Sequence, residues 1–342
     1  MVRAAPFLPI GAAYEVAEPN PGVLRQRLVV RLRRAGTLSD PVVERAFLTV
    51  PRELFVATMA ARDGLEAVYR DDAIVIKRDV LGRPASSSSQ PSIMAIMLEQ
   101  LQVRPGQRVL EVGAGSGYNA ALLSILVGPG GRVISVELDE EVARSARAAL
   151  AQGGYPVQVV TADGRHGWAA AAPFDRIIVT ASTDNIPRAW FDQLAVDGCL
   201  VLPLRFSRRW FLPQAVVALR RTAAGLESVA VVPGAFMALR RSPGNGQLPG
   251  PAVRAAARRR PGIVGSAATG ALGSARWRLL QVLLLLWQGL TAPLAWLPGL
   301  GDLRVTVTFA EYQEPRAGVR LHRDEATIFV QWRRRDRSRR GR

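Results

Sequence analysis

The sequence predicts an α/β fold with a mostly parallel central sheet, an N-terminal helical region and a C-terminal α+β extension. Three observations predict it. Short apolar strands alternate with helices from Arg108 to Pro203, the pattern of βα units with helices on both faces of a sheet. A glycine-rich turn, Gly113-Ala-Gly-Ser-Gly117, follows the first of those strands. Residues 20–68 carry helical spacing, as in Val42-Val-Glu-Arg-Ala-Phe-Leu48, where apolar residues recur at three and four.

Taken in order, Pro91 starts a helix that runs through Ile93, Met94, Met97, Leu98 and Leu101. Strands are expected at 108–112, 131–137, 157–161, 174–180 and 199–203, with helices at 119–127, 139–152 and 190–194. Near the end, Leu303–Phe309 and Ala326–Trp332 alternate with period two. They are expected to pair antiparallel beside a helix over 279–292. Leu279–Gly301 is free of charge across 23 positions, long enough to span a bilayer. Gln281, Gln288, Gly289, Thr291, Pro293 and Pro298 interrupt it, so a buried helix is expected instead. Pro6–Ile10 is too short for the apolar core of a signal peptide.

Composition excludes several classes. At 49% hydrophobic residues the chain of 342 is not wholly disordered. A single cysteine, Cys199, excludes an internal disulfide framework and a cysteine-rich zinc site. His166 and His322 stand far apart, so no histidine-built metal centre is expected, and a reducing, cytoplasmic compartment fits. The formal charge of +17 suggests an anionic partner, but its distribution changes that reading. Residues 1–239 hold 26 basic and 22 acidic side chains, and residues 279–332 hold four and five. Residues 240–278 hold eight arginines and no acid, and 333–342 hold seven arginines and Asp336. The excess therefore sits in a Gly/Pro-rich linker and a basic tail. A nucleic-acid partner is not expected, and membrane contact is not favoured.

The glycine turn allows backbone to approach a ligand where a Cβ would clash. Its third glycine comes one residue early for a dinucleotide fingerprint, and Glu111 before it would repel a diphosphate. That carboxylate suits a ligand with a cationic amino acid end. Glu137, at the end of the next strand, can accept from ribose hydroxyls, and Asp163 before Gly164 can accept from an adenine amino group. Glu111, Gly113, Gly115, Glu137 and Asp163 together resemble the set used by class I S-adenosylmethionine-dependent methyltransferases, whose Rossmann-like fold the resemblance implies. The Asn/Asp-Pro-Pro-aromatic motif of amino-methylating nucleic-acid enzymes is replaced by Val179-Thr-Ala-Ser-Thr-Asp-Asn-Ile-Pro187.

Further segments resemble the protein-L-isoaspartate O-methyltransferase family. They are Val50-Pro-Arg-Glu-Leu-Phe55, Tyr69-Arg-Asp-Asp-Ala73, Ser89-Gln-Pro-Ser-Ile-Met-Ala95, Val109–Tyr118, Asp163-Gly164 and Ala172–Ala181, then Ile186-Pro187 and Asp192-Gln-Leu194. The resemblance implies S-adenosylmethionine as methyl donor and a protein or peptide substrate bearing isoaspartate. It implies Ser89 as the active-site serine, with Gln90, Pro91, Ser92, Ile93 and Gly164 against the cofactor. It also implies an N-terminal helical lid at 1–85 and a cofactor-binding core at 86–239. The linker at 240–278, a small α+β module at 279–332 and the tail at 333–342 follow.

Ser87-Ser88 stands where Thr-Ile usually precedes the active serine. With Asp175-Arg-Ile-Ile and Pro187-Arg-Ala-Trp190, this is similar to an actinobacterial branch linked to ribosomally made, modified peptides. There the implied target is an ordinary aspartate, esterified to form aspartimide. A third alternative is a non-catalytic, cofactor-binding module that docks through its Arg-rich extension. From the residues alone, Ser86–Ser89 reads as a polar loop, His166 as a surface histidine, and Trp190, Trp210 and Phe211 as core. Arg165 reads equally as a carboxylate-attracting or a solvated residue.

Overall fold

The computed structural model describes residues 20–205, 214–223 and 225–240, and strands at 303–308, 319–323 and 326–332. The expectations for Pro6–Ile10, Trp210, Phe211, most of the linker, Leu279–Gly301 and the tail lie outside the described residues. Helix α1 (Pro21–Arg34) starts where Asn20 accepts the Gly22 N–H and proline occupies the first turn. Helix α2 (Pro41–Thr49) repeats the device, with Asp40 accepting from Val42 and Val43. Its buried residues, Val43, Ala46 and Phe47, follow the spacing of three and four. A 3-10 turn at Arg52–Phe55 and helix α3 (Ala57–Val68) complete this region.

Strands β1 (Ile74–Arg78) and β2 (Pro84–Ser88) then form an antiparallel hairpin, with Ile74 opposite Ser88. The serine run is thus a strand, and it leads directly into Ser89. Helix α4 (Pro91–Leu101) follows, with Gln90 as its N-cap residue. Next come β3 (Arg108–Val112), α5 (Tyr118–Val127), β4 (Arg132–Glu137), α6 (Glu140–Gln152), β5 (Val157–Thr161), β6 (Phe174–Val179) and α7 (Arg188–Gln193). Strand β7 (Leu194–Arg205) extends past both ends of its expected range. It is followed by β8 (Gln214–Thr222), β9 (Gly225–Pro233), β10 (Leu303–Thr308), β11 (Val319–Arg323) and β12 (Ala326–Trp332).

Among the described residues, ten strands make one sheet in the order β11-β12-β10-β9-β8-β7-β6-β3-β4-β5. Strands β3 to β7 are mutually parallel, and the rest continue antiparallel from β7. The expected β10–β12 pair is antiparallel, and β10 also hydrogen-bonds along β9. The C-terminal strands therefore lengthen the core sheet. Both faces of the parallel half are buried. Val109 and Ile178 join a cluster with Leu28, Phe47, Leu98 and Leu122, while Leu110, Val112 and Ile177 join one with Ile134, Trp190 and Leu200. Chain order reverses at β3, which has β4 on one side and β6 on the other. A crevice opens beyond the carboxyl ends of strands at such a point.

Candidate active site

A cavity occupies that crevice. Its floor is the glycine turn between β3 and α5. One wall is β2 with Ser89, the other is Glu137, Leu138 and Gly164, and the roof is Phe236–Arg240. The turn needs its glycines. Gly113 has φ +98°, and a Cβ there would overlap Thr180 Oγ1, which itself donates to Gly113 O at 2.7 Å. Gly115 has φ +52°, and its Cβ would sit 2.9 Å from Ser87 O. At Gly164 a Cβ would lie 2.5 Å from Val112 Cγ1.

Glu137 is largely buried at the end of β4. Its Oε2 accepts the Gly115 N–H at 3.0 Å, and its Oε1 accepts from Leu138 and Asp139 at 3.0 and 3.1 Å. A carboxylate offers about four acceptor sites, so one remains, on Oε2, for a ligand hydroxyl. Asp139 caps α6 and binds two covering segments: Lys77 of β1 at 2.8 Å and Arg240 of the roof at 3.9 Å. The roof is tied down at Ser182, whose N–H donates to Met237 O and whose carbonyl accepts from Leu239, both at 2.7 Å.

Ser89, Gly113, Gly115, Glu137 and Gly164 thus meet around one cavity. The other candidates stand behind it. Glu111 is fully buried beneath the turn, where it accepts from Asn119 Nδ2 at 2.8 Å and from Ser135 Oγ. Burial pushes its carboxyl up to about 7, and the nearby Glu137 charge adds to the rise, against the two hydrogen bonds. Asn119 does line the cavity, so Glu111 faces the ligand space through it. Asp163 pairs with Arg165, with Nη2 at 2.6 Å and Nε at 3.1 Å. Gln90 caps α4, and Pro91, Ser92 and Ile93 form its first turn beside Ser89, next to the residues that line the cavity.

His166 is exposed. Trp190 is fully buried and its Nε1–H donates to Gly164 O at 2.8 Å, holding that wall from behind. Cys199 is buried within β7, as expected of a strand cysteine. Sequence reasoning missed Asn119, Thr180, the roof, and Asp71 and Arg52 behind Ser89. Gly113 is an indirect signal of Thr180, which a Cβ there would meet, and the segments Val50–Phe55 and Tyr69–Ala73 carry Arg52 and Asp71.

The donor set fits S-adenosylmethionine. Two glycines leave room for a bound chain, a carboxylate at the strand end keeps a free acceptor, and Met94 and Met97 add apolar wall. Among the described residues no cluster could hold a metal ion, and no helix is long and apolar enough to cross a membrane.

Comparison with known proteins points to one family. The profile of the family described as protein-L-isoaspartate(D-aspartate) O-methyltransferase matches residues 24–234. A protein-L-isoaspartate O-methyltransferase from Methanopyrus kandleri is 42% identical over 182 residues, covering 53% of this chain and 76% of the relative. One from Hyperthermus butylicus is 38% identical over 225 residues, covering 63% and 88%. A Plasmodium falciparum protein of that description, solved with S-adenosyl-L-homocysteine, is 21% identical. It aligns with a TM-score of 0.55 over 66% of this chain and 100% of its own, a likeness of fold. The matched region ends just before the roof segment.

Proposed function

Because this chain belongs to the protein-L-isoaspartate(D-aspartate) O-methyltransferase family, we propose that Ser89 aligns an isoaspartyl carboxylate for methylation in the cavity above the glycine turn. The chain is an S-adenosylmethionine-dependent protein carboxyl methyltransferase. Its substrate is a protein or peptide bearing L-isoaspartate. The reading is supported by one observation above others: Ser89 lines the same cavity as Gly113, Gly115 and Glu137.

The cofactor supplies an electrophilic methyl group on a sulfonium. The carboxylate is ionised at neutral pH and needs no strong base, so the protein's work is alignment and exclusion of water. Gly113 and Gly115 hold the donor close to backbone, Glu137 accepts from a ligand hydroxyl, and Asn119 offers polar contact at the turn. Ser89 Oγ–H donates to one carboxylate oxygen and leaves the other to attack the methyl carbon. Transfer from bound S-adenosylmethionine would exchange the S–C bond for a C–O bond and leave a methyl ester and S-adenosylhomocysteine. The next backbone nitrogen then attacks the ester, methanol leaves, and a succinimide results without further help from the protein. In this account residues 1–85 act as a lid over the core at 86–239, and the reaction is cytoplasmic.

The test is methyl transfer from labelled cofactor to two peptides that differ only in isoaspartate against aspartate. Label is expected on the isoaspartyl peptide. Equal labelling of the aspartyl peptide would overturn the substrate, and label on neither would overturn the activity.

A further inference from the structure

Arg52 is fully buried in the 3-10 turn before α3. Among the described residues it forms no salt bridge. Its guanidinium donates instead to four backbone carbonyls. Nη1 takes Val68 O and Arg70 O, both at 2.9 Å, and Nη2 takes Asp72 O at 2.9 Å and Ser89 O at 3.2 Å. Two of these acceptors flank Asp71, whose carboxylate accepts the Ser92 N–H at 2.8 Å and Gln90 Nε2 at 3.3 Å. The segment carrying Ser89 is therefore held directly by Arg52 and again through the turn that Arg52 folds. The same guanidinium lies 5.9 Å from the ring centroid of Tyr118, the first residue of α5 after the glycine turn.

Burial desolvates the guanidinium, and its four carbonyl bonds together with the nearby Asp71 and Asp72 charges offset that cost. What an apolar residue does not supply is a planar fork that reaches two separated pairs of carbonyls. We infer that Arg52 is a positioning residue of the methyl transfer, fixing Ser89 relative to the glycine turn. The inference rests on the reading of Ser89 given above. Arg52 itself touches neither substrate nor cofactor. Its effect passes through the Ser89 carbonyl and the Asp71 turn to the Ser89 hydroxyl. Lysine, with all its donors at one point, serves one pair of carbonyls and not both, so Arg52→Lys loses either the Val68 and Arg70 end of the turn or the link from Asp72 to Ser89.

The test is a double-mutant cycle on the full chain with an isoaspartyl peptide as substrate. Arg52→Lys is expected to lower kcat about tenfold or more while S-adenosylhomocysteine affinity stays within about threefold. In a Ser89→Ala background the same change is expected to cost less than about threefold, because the group it positions is gone. An equal loss in both backgrounds, or a loss of S-adenosylhomocysteine affinity in step with kcat, overturns the inference in favour of a general structural role. If Arg52→Lys does not fold, Arg52→Ala with added methylguanidinium replaces it. Recovery of kcat supports the inference, and recovery of melting temperature without kcat overturns it. Ser89→Ala with wild-type turnover overturns the reading beneath. Ser89→Ala inactive with Arg52→Lys fully active overturns this inference alone.

Discussion

The Gly115 N–H donates to Glu137 Oε2 at 3.0 Å, so one carboxylate shapes the glycine turn and forms the facing wall of the cavity. Glu137→Ala removes both the partner of that amide and the acceptor left for a ligand hydroxyl. Loss of charge-assisted hydrogen bonds of this kind is expected to weaken cofactor binding about tenfold to hundredfold. Isothermal titration with S-adenosylhomocysteine measures it, and unchanged affinity contradicts the assigned wall.

Gly115 and Gly106 both have positive φ, but only Gly115 has backbone within 3 Å of a would-be Cβ; nothing lies within 4 Å at Gly106. Alanine at either position carries backbone strain of about 1–2 kcal/mol. At Gly115 it must also push Ser87 O and move β2. Gly115→Ala is therefore expected to lose cofactor affinity, whereas Gly106→Ala loses only thermal stability. Equal binding by the two variants contradicts the close approach of β2 to the turn.

Glu111 carries a pH signature. Burial raises its carboxyl from 4.5 to about 7. Between those values the folded protein keeps a proton that the unfolded chain has lost. Folding is therefore favoured less as pH rises through this window, and the effect levels off above about 7. Glu111→Gln removes the dependence while keeping an acceptor for Asn119. The stability of the variant relative to wild type is expected to improve by about 3 kcal/mol from pH 4.5 to 7. Denaturant melts of the ligand-free protein at several pH values test it, and a difference that stays flat contradicts a buried, neutral Glu111.

Much of the parallel half is legible in the sequence because its inner strands are plain apolar runs and its edge strand, Val157–Thr161, is rich in β-branched residues. Val157–Thr161 matches its expected bounds, and Arg132–Glu137 and Phe174–Val179 differ from theirs by one residue at one end. The β1–β2 hairpin is not legible, because Ser86-Ser-Ser-Ser is polar and its burial comes from packing against Gly115. The site divides in a similar way. Gly113, Gly115 and Glu137 announce themselves through backbone geometry and strand ends. Glu111 follows the parity of β3, sharing the face of Val109 above Asn119, and parity alone does not say whether a ligand reaches it. Asp163 pairs with Arg165 two residues on, a pairing set by a 3-10 turn. Arg52 looks like any charged residue near a helix, and only the fold reveals it enclosed.

The central claim concerns Ser89, and its most direct measurement is a mass-spectrometric time course. An isoaspartyl peptide is incubated with S-adenosylmethionine and either the wild-type chain or Ser89→Ala. The account predicts a methyl ester followed by succinimide with the wild type. For the variant it predicts a kcat about tenfold to hundredfold lower at S-adenosylhomocysteine affinity within about threefold of wild type. Ester formation by Ser89→Ala at the wild-type rate would contradict it.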